Sequence, residues 1–173
     1  MRVSAIVVFA SLALIATSAV SAQTVTDPQI ASIVVTANQV DIDAGKFAAS
    51  KGSSPEVKKF AQQMVTDHTG VNKQATALVT KLKVTPEDNA TSQSLKSGGD
   101  KNLATLRSLS GAAFDKAYID NEVTYHQAVI DALDKTLIPN AQNADLKALL
   151  VKVRPAFVAH LEHAKMIQSS LGK

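Results

Sequence analysis

Val57, Phe60, Met64, His68, Val71, Ala75, Leu78 and Leu82 recur at intervals of three and four residues. That spacing belongs to a helix that keeps one face turned to a core. It persists for about seven turns at 3.6 residues per turn, and nowhere does the chain show the alternation of a strand. Two more stripes have the same period: Ile119, Glu122, His126, Val129, Leu133, Leu137, and Leu146, Leu150, Val153, Phe157, His160, Ala164, Ile167, Leu171. A looser one holds Ile30, Ile33, Ala37, Val40, Ala44 and Phe47, with Asp41 at its edge. Asp27-Pro28, Ser54-Pro55 and Thr85-Pro86 read as an N-cap followed by proline at the first helical position, and Pro139 reads as a stop. The segments expected to be helical are 28–50, 55–83, 89–109, 112–137 and 144–170, the third weakened by Gly98-Gly99. Pro155 is expected to kink the last helix; the alternative is that Arg154-Pro155 starts a new one. Four long amphipathic helices specify an all-α four-helix bundle. The segment 89–109 is long enough, at roughly 30 Å, to be an additional helical crossover along its side. One such crossover makes the bundle ferritin-like.

The first residues have another character. Arg2 precedes an apolar run from Ala5 to Ala16, and Val20-Ser21-Ala22 ends in small residues. This is the pattern of a secretory signal cleaved after Ala22, and the run is short of the roughly 20 residues that span a bilayer. Residues 1–22 are therefore expected to be a signal peptide and 23–173 one helical domain, periplasmic and without a membrane span once the signal is removed. The chain has no cysteine, so neither a disulfide nor a lipid anchor on cysteine is available. The formal charge of +3 falls to +2 without Arg2, and the lysines are interspersed with acids. No basic stripe forms, which argues against nucleic acid. The sequence names no protein partner.

His68, His126 and His160 each lie close to the middle of a helix, on its apolar stripe. Helix midpoints coincide in a bundle whichever way the helices run, so the three imidazoles are expected at one level. Glu122 is one turn before His126, His163 one turn after His160, and Asp41 near the middle of the first helix. Histidines and carboxylates on facing helices build metal sites in bundle cores. The expected ligands are His68, His126 and His160, completed by Glu122, His163 or Asp41. Several imidazoles with few carboxylates suit zinc, copper or iron better than magnesium or calcium. Met64 and Met166, one turn from His68 and His163, would add thioethers for copper(I). The alternative is a non-enzymatic structural or interaction protein of the cell envelope, its histidines and carboxylates forming a buried hydrogen-bond network with Tyr125. No Glu-x-x-His motif of the di-iron ferroxidases occurs, nor a glycine-rich phosphate loop, and no residue is singled out as catalytic. Oxidation at a metal ranks behind both readings.

Several stretches together resemble the exported bacterial DUF4142 family. They are Val40 to Lys46, Phe60 to His68, Phe114 to Tyr118, Tyr125-His126-Gln127 and Arg154 to Ala164. The resemblance implies a ferritin-like bundle and leaves activity open. The family's Asp-His, Tyr-His and His-x-x-His elements fall on Asp67-His68, Tyr125-His126 and His160 to His163. Where the family carries a glutamate near position 41, this chain has the shorter Asp41.

Overall fold

The computed structural model describes residues 24–172, so the expected signal segment and its cleavage site lie outside the described residues. Helix α1 spans Asp27–Lys51, α2 Pro55–Leu82, α3 Ala90–Arg107 and α4 Gly111–Ala132. A π-helical turn, Leu133–Leu137, prolongs α4 into the short α5, Ile138–Asn140, and α6 spans Ala144–Leu171. Among the described residues there is no strand, and no helix is long and apolar enough to cross a membrane.

The helix starts follow local chemistry, though not always at the proline. Ser54 caps α2, its hydroxyl accepting from Glu56 and Val57 N–H, with Pro55 first in the helix. At α1 the cap is Thr26, not Asp27. Asp27 instead accepts from the backbone N–H groups of Gln142 and Asn143, tying the start of α1 to the start of α6. Pro86 starts nothing; Asn89 caps α3 and closes a capping box with Ser92. Pro139 does not end its helix at once. Ile138 N–H reaches back five residues to Leu133 O, and the widened turn carries the chain through the proline. α6 runs unbroken through Pro155, so no new helix begins there. Pro155 and Val151, the residue whose carbonyl it orphans, both face solvent, where water can satisfy that carbonyl.

Contacts between ends fix the topology. Asp115, near the start of α4, accepts from Ser53 and Ser54 N–H at the start of α2, so α2 and α4 run parallel. Lys81 at the end of α2 meets Asp145 at the start of α6, so those two are antiparallel. α1, α2, α6 and α4 thus close a four-helix bundle with helix senses up, down, up, down around the ring. α3 is the crossover. It starts beside α1's first turn, where Asn89 Nδ2 donates to Gln29 O, and climbs along the outside of α1. Gly98-Gly99 does not break it. A β-carbon on Gly99 would sit 2.7 Å from Val40 Cγ1, so the glycine lets α3 lie against α1. That cover explains the loose stripe of α1, which is buried on two sides, with Asn38, Asp41, Ile42 and Gly45 inside while Ala37 and Val40 are only half-buried.

The apolar core comes in two parts. One gathers Ile30, Ile33, Leu133, Leu146, Leu150 and Phe157 around the ends joined by α5. The other gathers Val57, Phe60, Met64, Phe114, Tyr118 and Ile167 around the opposite end. Between them lies a buried polar layer: Asn38, Asp41, His68, Glu122, His126 and His160.

Candidate metal centre

All four bundle helices contribute, and on α1, α4 and α6 the residues are three or four apart and share a face. α1 gives Asn38 and Asp41, α2 gives His68 and the adjoining Asp67, α4 gives Tyr118, Glu122 and His126, and α6 gives Phe157 and His160. The ring centroids of His68, His126 and His160 lie 5.3–5.5 Å apart. One ligand nitrogen from each falls within a 4.8 Å cluster, and so do single ligand atoms of Asp41, Glu122 and His126.

The hydrogen bonds dictate which nitrogen faces inward. His68 Nδ1 is 2.7 Å from Asn38 Oδ1, while the Asn38 amide donates to Val34 O. An oxygen at Asn38 can only accept, so His68 Nδ1 carries the proton. His126 Nδ1 lies 3.1 Å from the carbonyl of Glu122 and donates likewise. His160 Nε2 lies 2.9 Å from Asp67 Oδ2 and donates to it. Each neutral ring therefore presents a lone pair on its other nitrogen: Nε2 of His68, Nε2 of His126 and Nδ1 of His160. These three atoms are buried and have no hydrogen-bond partner, and so are both oxygens of Asp41 and Oε2 of Glu122. Asp41 Oδ2 comes within 2.9 Å of His68 Nε2 and 3.5 Å of His126 Nε2. The nearer contact lies off the hydrogen-bonding direction, and both atoms remain unpartnered. The shorter aspartate thus reaches the histidines from α1.

Burial sets the electrostatics. The side chains of Asp41, His68, Glu122, His126 and His160 are at most 4% exposed, whereas Asp67 is 41% exposed. For Asp41, burial pushes the pKa up but His68, followed by His126 and His160, outweighs it, and the net shift is downward. For Glu122, burial and then the neighbouring Asp41 charge raise the carboxyl to about 7 against the pull of His126. Burial and the other two histidines press His160 down to about 4 despite Asp67. Burial also depresses His126, but its contact with Glu122 and the Asp41 charge reverse the sign and raise it. Tyr118, beside Glu122, is driven well above its usual range by burial, then by the Glu122 and Asp41 charges, and stays protonated. Buried lone pairs and a buried carboxylate are costly without a counterpart. A cation among the inward nitrogens of His68, His126 and His160 would give those lone pairs a counterpart. Glu122 belongs to the second cluster, with Asp41 and His126, and lies on the Nδ1 side of His126.

Some expected groups lie elsewhere. His163 is outside both clusters, its ring edge-on to Phe60 at 5.2 Å. Phe60 is eight residues before His68, or about 12 Å along α2, so His163 belongs to the next layer of the bundle. Met166 is 64% exposed and faces away from the core, and Met64 is packed in the apolar cluster, so the thioether pair is not assembled. Tyr125 donates to Ala37 O rather than to a histidine. Asn38 and the role of Asp67 as the His160 acceptor were not singled out from the sequence. Asn38 could have been found as the polar residue one turn before Asp41 on the same face. Phe157, stacked on His68 at 5.1 Å and 7°, walls the centre on the apolar side.

Solved structures include one of the same shape. CopM in the Cu(II)-bound form matches with a TM-score of 0.64 and 19% sequence identity, over 84% of this chain and 98% of CopM. At that identity the likeness concerns the fold. Among curated proteins, none matches the sequence. The family model described as a domain of unknown function, DUF4142, matches residues 13–167, and the chain belongs to that family.

Proposed function

We propose that this protein is an exported metal-binding bundle that holds one transition-metal ion between His68, His126, His160 and Asp41, with Glu122 in reserve beside them. The observation that carries the reading is the set of inward lone pairs: each histidine has its outer nitrogen committed as a donor and its inner nitrogen unpartnered. Outer partners of this kind orient metal-binding histidines and fix their tautomers. Three imidazoles and a carboxylate suit zinc, copper(II) or iron, and a scarcity of carboxylates disfavours magnesium and calcium. The Cu(II)-bound state of the CopM structure makes copper the first metal to test. Its role would be metal handling in the envelope, the signal being removed after Ala22. Nothing in the centre requires a reaction.

One observation favours a second reading. His126 is held above its ordinary pKa by Glu122 and Asp41, so a protonated imidazole could itself neutralise Asp41. The bundle would then be a structural or interaction protein with a proton where the metal reading has a metal ion. Elemental analysis of protein purified without an affinity tag separates the two. About one ion per chain, lost in His126→Ala, is expected. Metal-free protein that takes up no zinc, copper or iron on titration would leave the network reading.

A further inference from the structure

We propose that a second, metal-independent site lies between α3 and α4 and takes a small neutral amphiphile, with its apolar ring or chain in a pit and its hydroxyl or amide in an adjoining groove. The pit, of about 230 Å³, is walled by Ile33, Ala132, Leu133, Leu150, Val153 and Phe157 among others. An apolar cavity of about 150 Å³ already accommodates benzene. The groove, of about 480 Å³, runs on from it past Ser94, Asn102 and Asn121. Thr91, Leu95 and Tyr125 line both, so the pit and the groove adjoin there. At its other side the groove meets, at Val40 and Gly99, a cleft lined by Asp43, Lys96 and Asp100.

Charge decides the class of ligand. None of the residues lining the pit or the groove is an acid, lysine, arginine or histidine. Other clefts on this surface do hold charges: Asp43, Lys46 and Arg107 line one, Lys81, Asp145 and Lys152 another. A carboxylate, sulfonate or ammonium entering the neutral space would lose water and gain no counter-ion. A hydroxyl or amide would find the amides of Asn102 and Asn121 and the hydroxyl of Ser94.

The fold explains why the space exists. α3 is drawn onto α1 by the close approach of Gly99 to Val40 and by the fully buried Leu106. Towards α4 it offers, besides Leu95, mostly small or short side chains, Ala90, Ser94, Gly98 and Asn102, and α4 answers with Ala128 and Ala132 beside Tyr125. The widened turn at Leu133–Leu137 forms one wall of the pit. Such turns inside helices recur at functional sites.

The test uses β-naphthol, a fluorescent neutral amphiphile, and β-naphthalenesulfonate, which has the same ring and a charged head. Saturable binding of one β-naphthol per chain is expected, equally in chelator-treated and metal-loaded protein, with the sulfonate weaker by about tenfold or more. Ala132→Phe fills the pit and should weaken β-naphthol by about tenfold or more. Ala128→Phe, at the exposed mouth of the same pit, should weaken it in the same direction and serves if the first variant does not fold. Absence of saturable binding, equal binding of the sulfonate, or full binding to both folded variants overturns the proposal. Binding that vanishes with the metal would overturn the metal-independent site too, whereas a protein that binds β-naphthol and no metal would sink only the metal reading.

Discussion

His160 is the one inward histidine whose outer partner meets solvent, and the consequence for binding is specific. Asp67 accepts the Nε2 proton at 2.9 Å, which leaves Nδ1 as the inward lone pair and the proposed ligand atom. Asp67→Ala frees the ring to rotate or change tautomer. We expect metal affinity to fall by about tenfold to a hundredfold, the usual cost of losing an outer partner, with Asp67→Asn milder because its amide oxygen still accepts. Competition with a chromophoric chelator measures this; unchanged affinity in Asp67→Ala would remove His160 from the centre. Glu122 gives a second residue-level prediction. Its carboxyl rises from 4.5 to about 7 in the fold. Between those values the folded protein keeps a proton that the unfolded chain has released, so this contribution is complete below 4.5 and is lost as pH rises through 7. His160 works in the opposite sense: held down to about 4, it adds stability above its ordinary 6.5 that is lost as pH falls towards 4. Glu122→Gln leaves the His160 effect and removes the first, together with the side-chain share of the upward pull on His126, which acts in the same direction. Metal-free Glu122→Gln should therefore gain on the metal-free wild type as pH rises from 4.5 to 7, by on the order of 2 kcal/mol, in denaturant melts at each pH. A constant difference would show that Glu122 is ionised throughout. The three central histidines were legible because histidine rarely sits on an apolar stripe. Their partners were less so. Asn38 lies on a helix buried from two directions, where no single stripe exists, and Asp67 is off the stripe of α2, reaching His160 only because α6 packs beside it. His163 shares the spacing of a ligand but not its layer, a distinction that one helix alone cannot express.

The crossover helix carries the clearest contrast at the level of elements. Gly98 and Gly99 are neighbours in α3, yet a β-carbon on Gly98 meets nothing within 4 Å while one on Gly99 strikes Val40 at 2.7 Å. Gly98→Ala should stabilise the protein by about 0.5–1 kcal/mol through helix propensity. Gly99→Ala should destabilise it by about 1–3 kcal/mol, because α3 must move off α1. Chemical denaturation of the two variants compares them directly; equal effects would mean that α3 is not seated where described. The glycine pair was read from the sequence as a weak point. Composition registers the low helix propensity of glycine but not the neighbouring helix that needs the missing side chain. Helix existence was legible from the period of three and four, and Ser54-Pro55 gave a true start. Asp27-Pro28 marked the start of α1 too, but not its cap, since Thr26 caps the helix and Asp27 is used by the start of α6. Thr85-Pro86 misled, because the cap of α3 is Asn89. The π turn at Leu133–Leu137 has no periodic signature, since five residues are too few to shift the stripe.

Taken whole, the bundle is two apolar cores separated by a polar layer, and the layer was foreseeable because helix midpoints coincide. The ferritin-like order followed from the length of one segment, which was long enough to return along the bundle. A protein isolated from the periplasm should begin at Gln23, and intact-mass measurement decides it; a full-length chain pelleting with membranes would make residues 5–16 an anchor instead. If the polar layer is built for a metal ion, thermal melting with and without chelator will show it. Wild type and His126→Ala should each be melted as isolated, after chelation, and after adding copper or zinc. A ligand bound at a hundred times its Kd adds about 2.7 kcal/mol, so wild type should melt lower after chelation and recover with metal, while His126→Ala responds to neither. A wild-type melting temperature that is the same in all three conditions would mean that the layer holds no metal.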